Sequence, residues 1–424
     1  MPPADPAKLS DPSCQDDFDP SALTVPDALD RIRGAIVPLT ECDRLPLREA
    51  LDRVLAEDVR SDIDVPPGTN SAMDGYAVRA DDIPAEGTRE LRVAGTAWAG
   101  RPLAQALEPG AAARIMTGAL LPGNADTVII QERAERSGDM VRIGPGTRRG
   151  DNVRAAAEDI ARGDTVLSRG RRLAPADIGL VASLGIGELN VIRRPRVAFF
   201  STGDELRSIG ERAGPGEIYD SNRYTLFGML ARLGAEVIDL GVVRDTAKGV
   251  EQALKKAGAA ADAVITSGGV SVGEADFVTD ALRKLGQVEF WKVAMKPGRP
   301  LTFGTVGNAR FFGLPGNPVS VMVTFYQFVR PALRRLSGET VDEDPRFSVV
   351  CLTRLKKRPG RVEFQRGILE REASGRLAVR KTGAQGSGIL SSMSQANCFI
   401  VLPIESTGVE AGSLVEVQPF FGIV

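Results

Sequence analysis

The sequence predicts a multidomain α/β protein. Its centre is a doubly wound parallel sheet, joined by a helical, elongated domain, an inserted β-rich domain and a C-terminal β-barrel-like domain. Three observations predict this. From Arg196 to about Ser337, short apolar runs alternate with helical stretches, the texture of βαβ units. Before that, residues 61–157 break into β-like pieces punctuated by Gly and Pro, flanked on both sides by helical sequence. After Leu336-Ser-Gly the chain turns β-like to its end.

The elements follow in order. Residues 1–20 are rich in Pro, Asp and Ser and read as a disordered tail. Apolar spacing at Leu29, Ile32 and Ile36, then at Leu47, Ala50, Leu51, Val54 and Leu55, predicts two amphipathic helices over residues 21–60. With residues 158–194, including a helix over 175–184, they make a discontinuous linking domain into which residues 61–157 are inserted. The doubly wound domain takes residues 195–344. Its predicted strands begin at Val197, Glu236, Ala263 and Val288, with helices near 222–233, 247–258 and 276–285. Residues 345–424 form the barrel-like domain.

Composition narrows the chemistry. The 424 residues have a formal net charge of -2, which argues against bulk electrostatic binding of nucleic acid. No apolar run is long enough to span a membrane, and the acidic, proline-rich start does not resemble a signal peptide, so the expectation is a cytoplasmic protein. Cys14, Cys42, Cys351 and Cys398 lack metal-site spacing. Histidine is absent, which removes imidazole catalysis and His–metal ligation. A metal held here would have oxygen ligands, which suits magnesium.

In a doubly wound sheet, ligands lie beyond the carboxyl ends of the strands. The unusual loops fall there. They are Ser201-Thr-Gly-Asp-Glu205, Arg244-Asp245-Thr246, the glycine-rich Thr266-Ser267-Gly268-Gly269 run up to Asp276, and Leu314-Pro315-Gly-Asn-Pro318-Val-Ser320. A Gly/Ser loop between strand and helix offers backbone N–H groups to an anion. Lys292 and Lys296, at even spacing, are expected on one strand face. Taken singly each feature has an ordinary reading. Asp245-Thr246 is an N-cap signal, Gly-Asp-Glu a turn, Pro-Gly-Asn-Pro a turn and cap, and the lysines simply solvated. Their co-location favours a site for a phosphorylated, metal-bound ligand, with Glu205, Asp245 and Asp276 as magnesium ligands and lysines neutralising the rest. In the β-rich insert, Met73 and Tyr76 beside Asp74 suggest a loop that packs on another surface.

Eleven segments resemble one family along nearly the whole chain. They are NSAMDGYAV (70–78), RIMTGALLP (114–122), GDNVRAAAEDI (150–160), STGDEL (201–206), IYDSN (218–222), GVVRD (241–245), TSGGVSVGEADF (266–277), WKVAMKPGRPLTFG (291–304), GLPGNPVS (313–320), EFQRG (363–367) and GILSSMSQAN (388–397). The family is molybdopterin molybdenumtransferase, whose eukaryotic counterpart is the E domain of gephyrin.

The resemblance implies insertion of molybdate into adenylylated molybdopterin, with magnesium dependence and release of AMP. It implies a homodimer of four-domain subunits with the site between subunits. It also implies exchange with a molybdopterin adenylyltransferase and with molybdoenzyme apoproteins. By matching motif, Asp74, Thr117 and Asp159 resemble the second-subunit side of the cleft, and Asp74 is counted with the catalytic group. Glu205, Asp245, Asp276, Lys292 and Lys296 resemble the catalytic and metal-handling group. Pro315, Pro318 and Ser320 resemble the loop around substrate and molybdate, with Arg366 and Ser392 from the last domain, and Ser267, Gly268 and Gly269 of the glycine-rich loop are counted as substrate-binding. Two positions depart: Ala157 stands where the family usually has glycine, and Arg299 replaces a common lysine. Rival readings are a non-catalytic carrier or scaffold, and the adenylylating enzyme that shares the doubly wound fold.

Overall fold

The computed structural model describes residues 19, 21–268, 277–340 and 343–420. Residues 44–51 and 57–190 form one compact body, and the other described residues form a second.

Helix α1 (Val25–Ala35) opens the larger body. Thr24 caps it by accepting from the Asp27 amide, and Pro26 sits in its first turn, where its missing N–H costs nothing. Val25, Ala28 and Ile32 are its buried face. The second expected helix does not form. Cys42–Pro46 is a strand, and Leu47–Ala50 is a single 3-10 turn. Asp52 then takes a φ of 61°, which a continuing helix does not tolerate. Pairing wins over local propensity: the Cys42–Pro46 strand is hydrogen-bonded to Glu188–Ile192, and Leu55 bridges Val191.

The smaller body holds a six-stranded sheet of β1 (Gly75–Val78), β2 (Arg89–Ala97), β3 (Ala111–Ile115), β4 (Thr127–Ile130), β5 (Ala134–Ser137) and β6 (Met140–Ile143), in the order β4-β1-β3-β2-β6-β5. Alternate side chains fill its two faces, Tyr76, Val78 and Ile129 on one and Ala77, Ala113 and Val128 on the other. Helix α2 (Pro175–Ser183) follows.

The larger body is built on a second six-stranded sheet: β7 (Arg196–Thr202), β8 (Glu236–Val243), β9 (Ala263–Ser267), β10 (Gly286–Lys292), β12 (Pro300–Val306) and β13 (Ala309–Leu314), ordered β8-β7-β9-β13-β12-β10. The two-residue strand β11 (Met295–Lys296) lies between β10 and β12 in sequence. Strands β8, β7, β9 and β13 are parallel. Strand β12 runs antiparallel to both β13 and β10. Two reversals restore the direction of β10, so its carboxyl end lies at the same edge as those of β7, β8, β9 and β13.

Both faces of this sheet are covered. Val197, Phe199 and Ile265 pack against Leu226, Met229 and Leu230 of α3 (Ser221–Arg232). Ala198, Phe200 and Val264 pack against Val250 and Leu254 of α4 (Ala247–Ala260) and Val278 and Leu282 of α5 (Phe277–Leu285). These double-sided strands read as continuous apolar runs, as buried parallel strands do. After β13 come α6 (Pro318–Thr324), a π-helical turn at Phe325–Val329 and α7 (Arg330–Leu336).

The last five main strands close a barrel: β14 (Phe347–Cys351), β15 (Val362–Arg371), β16 (Leu377–Lys381), β17 (Cys398–Leu402) and β18 (Leu414–Pro419). Its order is β15-β16-β14-β18-β17, and β17 pairs back onto β15. The barrel docks on the helices through Tyr326, whose ring meets Phe399 edge-on at 5.5 Å. It is also joined to the sheet region by β11, which pairs in parallel with β15 at Met295↔Val362 and Lys296↔Glu363.

Candidate functional site

The rim at the carboxyl ends of the central sheet begins with Thr202, the last residue of β7. Its hydroxyl donates to Asp245 Oδ1 at 3.2 Å, tying the β7 and β8 loops together. Thr246, not Asp245, caps α4, accepting from the Gly249 amide at 3.2 Å. The cap signal read in the sequence is therefore real, and it leaves the Asp245 carboxyl free of capping. Glu205 folds back over its own turn, its carboxyl oxygens lying 2.7 Å from where a Cβ on Gly203 would stand. Among the described residues neither acid has an ion-pair partner.

Strand β9 ends at Ser267 and Gly268. Gly268 has a φ of 86°, and a Cβ there would stand 2.7 Å from the Thr202 carbonyl, so this position needs glycine on both counts. Its amide donates to Leu314 O at 3.2 Å, joining the β9 and β13 loops. Asn222 makes a further link: Nδ2 donates to Ser267 Oγ at 2.8 Å and to the Gly316 carbonyl at 2.7 Å. Gly269 and Asp276 lie outside the described residues. Pro315 is buried, Pro318 opens α6, and Ser320 is buried in its first turn. The Val319 amide donates to Ser387 O at 3.0 Å, which fastens this loop to the barrel region.

The two lysines do not share one strand face. Lys292 ends β10, the backbone breaks direction at Val293-Ala294, and Lys296 belongs to β11. The pairing of β11 with the barrel makes that break. Lys292 is exposed and lies 3.3 Å from Asp19, which also binds Arg299 at 3.1 Å. Hydrogen bonds from the Ser21 hydroxyl and amide, and then Lys292, hold the Asp19 carboxyl down at about 2. Lys296 pairs with the buried Glu363 at 3.6 Å.

Beside Lys296 is a cavity of about 200 Å³, lined by Lys356, Lys381 and Arg366 as well as Glu363. Arg366 is 1% exposed. Its Nε donates to Ser392 Oγ and its Nη2 to the Gly386 carbonyl, each at 3.0 Å. Burial pulls its guanidinium down to about 10, so the cation remains, without a bonded carboxylate, next to an open polar cavity. Such a group favours an incoming oxyanion.

In the smaller body, Asp74 and Thr117 form one unit. The Thr117 amide and hydroxyl both donate to Asp74 Oδ1 at 2.7 Å, and the amide bond is the larger cause of the lowered Asp74 pKa. Asp159 is exposed, on a turn tied to Val65 and Pro66 by backbone bonds. Ala157 in that turn has a φ of 59°, the conformation glycine would supply without strain. Met73 is 48% exposed, whereas Tyr76 belongs to the core of its own sheet rather than to an outer contact.

Three family profiles cover this geometry: the MoeA N-terminal region (domain I and II) over residues 23–185, a probable molybdopterin binding domain over 198–335, and the MoeA C-terminal region (domain IV) over 348–420. A molybdopterin molybdenumtransferase from Haemophilus influenzae is 44% identical over 94% of this chain and 98% of its own length. The chain belongs to the molybdopterin molybdenumtransferase family. It is an enzyme of molybdenum cofactor biosynthesis with molybdopterin as substrate. A counterpart from Nostoc is 39% identical over 85% of this chain and 84% of its own length. The crystal structure of a molybdopterin biosynthesis protein from Pyrococcus horikoshii superposes with a TM-score of 0.82 at 30% identity, covering 94% of this chain and all of that one. The N- and C-terminal matches separate this molybdenumtransferase from single-domain enzymes that carry the doubly wound fold alone.

Of the residues nominated from sequence, Glu205, Asp245, Ser267, Gly268 and Pro315 follow or end the strands β7, β8, β9 and β13 at the carboxyl rim of the molybdenumtransferase sheet, whereas Lys292 ends β10 at the opposite edge from β8. Lys296, Arg366 and Ser392 surround or support the cavity in the same body, and Asp74, Thr117 and Asp159 belong to the other. Asp220 and Asn222 lie within the family-like segment IYDSN (218–222), where no local pattern gives either a role. Only the bonds of Asn222 to two separate loops expose it.

Proposed function

We propose that this molybdenumtransferase inserts molybdate into adenylylated molybdopterin and releases AMP, with the chemistry at the rim of the doubly wound sheet. The observation that carries this is the carboxyl rim of β7, β8, β9 and β13, which bears two acids without an ion-pair partner among the described residues and a Gly/Ser turn tied to the β13 loop. In this reading Lys292 and Lys296 neutralise the phosphates and the incoming dianion. Arg366, oriented by Ser392, holds molybdate in the cationic cavity. Ser267, Gly268, Gly269, Pro315, Pro318 and Ser320 shape the pterin-phosphate loops.

Glu205 and Asp245 are carboxylate oxygen ligands with no ion-pair partner among the described residues, the donor chemistry magnesium takes, although no group of three metal-ligating side chains occurs among those residues. Glu205 and Asp245, with Asp276, would hold the ion. Bound there it would supply positive charge to the phosphoanhydride oxygens during AMP release. The protein's own groups bind, orient and neutralise around that centre.

We assign the enzyme to a homodimer in which Asp74, Thr117 and Asp159 face the partner's rim; exposed Met73 next to Asp74 supports this, and sedimentation velocity checks it. The four-domain division read from the sequence is kept with this assignment, as is exchange of pterin with an adenylyltransferase and molybdoenzyme apoproteins. No described helix is long and apolar enough to cross a membrane, and we place the enzyme in the cytoplasm.

The deciding experiment is AMP release from adenylylated molybdopterin, with magnesium, with and without molybdate, for wild type and Asp245→Ala. Molybdate-dependent release that the variant loses supports the reading. Pterin binding without release under any condition would make the chain a carrier.

A further inference from the structure

The α3 side of the rim contains oxygen atoms that no described residue satisfies. Asp220 is 2% exposed and Ser201 is 1% exposed. Asp220 Oδ1 caps α3 by accepting from the Arg223 amide at 3.1 Å, but Oδ2 is buried with no hydrogen-bond partner among the described residues. Ser201 Oγ and Asn222 Oδ1 are buried and unpartnered in the same way. The Asn222 amide orientation is settled by chemistry. The Gly316 carbonyl only accepts, so Nδ2 must face it, and Oδ1 must face away.

Topology brings the residues that carry these atoms to the α3 face at the carboxyl end of the sheet. Ser201 and Ser267 are register partners in the parallel β7–β9 pair, so their side chains leave the same face. Alternation from Phe199 and Ile265 puts that face against α3. Asp220 and Asn222 begin α3, and Asn222 reaches Ser267. A buried acceptor left unsatisfied costs about 1–3 kcal/mol, so native proteins rarely keep several together unless something else satisfies them.

We infer that Asp220, Asn222 and Ser201 form the subsite that reads the N–H edge of the pterin ring. The inference rests on the functional reading above and adds to it the residues that recognise the ring. Asp220 Oδ2 and Asn222 Oδ1 accept only, and Ser201 Oγ can do so as well. A pterin's 2-amino-4-oxopyrimidine edge, like that of guanine, presents adjacent N–H donors. Adenine instead places its single amino donor between ring acceptors, which would meet these oxygens lone pair to lone pair. The acceptor-rich cluster therefore suits the pterin end of the substrate rather than its adenylate end. It lies within the segment matched by the molybdopterin binding domain.

Asp220→Asn is the sharpest test. It preserves an N-cap oxygen and the side-chain shape, and it turns the unpartnered oxygen into an N–H₂ donor. Calorimetric titration of the full chain with adenylylated molybdopterin and, separately, AMP should show the first Kd weakened tenfold or more, with AMP changed less than twofold. The ligand-free Tm should not fall, because no partner of that oxygen is lost. Ser201→Ala is the second variant, since its hydroxyl has nothing in the protein to lose; it should weaken the pterin ligand at least threefold with the fold intact. Unchanged pterin affinity in both variants, or equal weakening of AMP, overturns the inference while leaving the functional reading standing. A Tm drop in Asp220→Asn together with unchanged pterin binding by Ser201→Ala overturns it too, showing a structural role. Wild-type protein that binds neither ligand overturns the functional reading and this inference together.

Discussion

Arg366→Met removes the buried cation of the barrel-side cavity and separates a binding role from a structural one. The guanidinium is 1% exposed and is bonded only to neutral oxygens, of Ser392 and Gly386. Burial, partly offset by Glu363, pulls it from its ordinary value down to about 10, a net cost of about 3 kcal/mol carried by the folded state. Methionine fills much of the same volume and relieves that cost. It forfeits two hydrogen bonds, each worth about 1–2 kcal/mol. Ser392 Oγ keeps its bond to the Ile389 carbonyl at 2.6 Å, and the Gly386 oxygen keeps the Ile389 amide at 3.3 Å, so neither is left bare. The terms nearly cancel, and Tm should move by no more than about 4 °C. Function does not share the cancellation. Removing one buried cation that faces a dianion costs about 2–4 kcal/mol of affinity, or about 30- to 1000-fold. The assay is AMP release as a function of molybdate concentration, alongside differential scanning fluorimetry. Half-saturation at the wild-type molybdate concentration would refute the oxyanion role. Collapse of the fold would show that Arg366 is a structural cation instead.

Ala157→Gly should raise stability by about 0.5–1 kcal/mol, because about 1–2 kcal/mol of left-handed strain outweighs the extra freedom of glycine in the unfolded chain; a lower Tm by calorimetry would contradict that. Asp19→Ala frees Lys292 and Arg299 from an internal anion that competes with anionic substrate. KM for adenylylated molybdopterin should fall about two- to fivefold, the modest effect of a solvent-screened pair. A raised KM would mean instead that Asp19 orients Lys292.

Much of the fold was legible because local pattern and tertiary demand agree. Val197-Ala-Phe-Phe and Ala263-Val-Ile read as strands buried on both faces, and they are. The turn residues of the β-rich insert separate its strands close to where the structure does. The expected helix over 47–55 does not form, because Cys42–Pro46 before it pairs with Glu188–Ile192 and Leu55 at its end bridges Val191. The reading also failed at Lys292 and Lys296, where β11 leaves the sheet to join the barrel. Both failures are long-range strand pairings, which periodicity within a window does not register.

For the site, the sequence by itself determined the inventory. The absence of histidine, the acids and lysines at strand ends, and the family motifs name the chemistry and most of the residues, because residue types limit which ligands can be bound. Tertiary structure alone decided which polar atoms are already spent. Thr246 takes the cap and frees Asp245, Asp19 occupies Lys292, and Asn222 spans two loops while Asp220 and Ser201 keep unpartnered oxygens. Hydrogen-bond satisfaction is a property of atoms brought together from distant segments, so no local pattern encodes it.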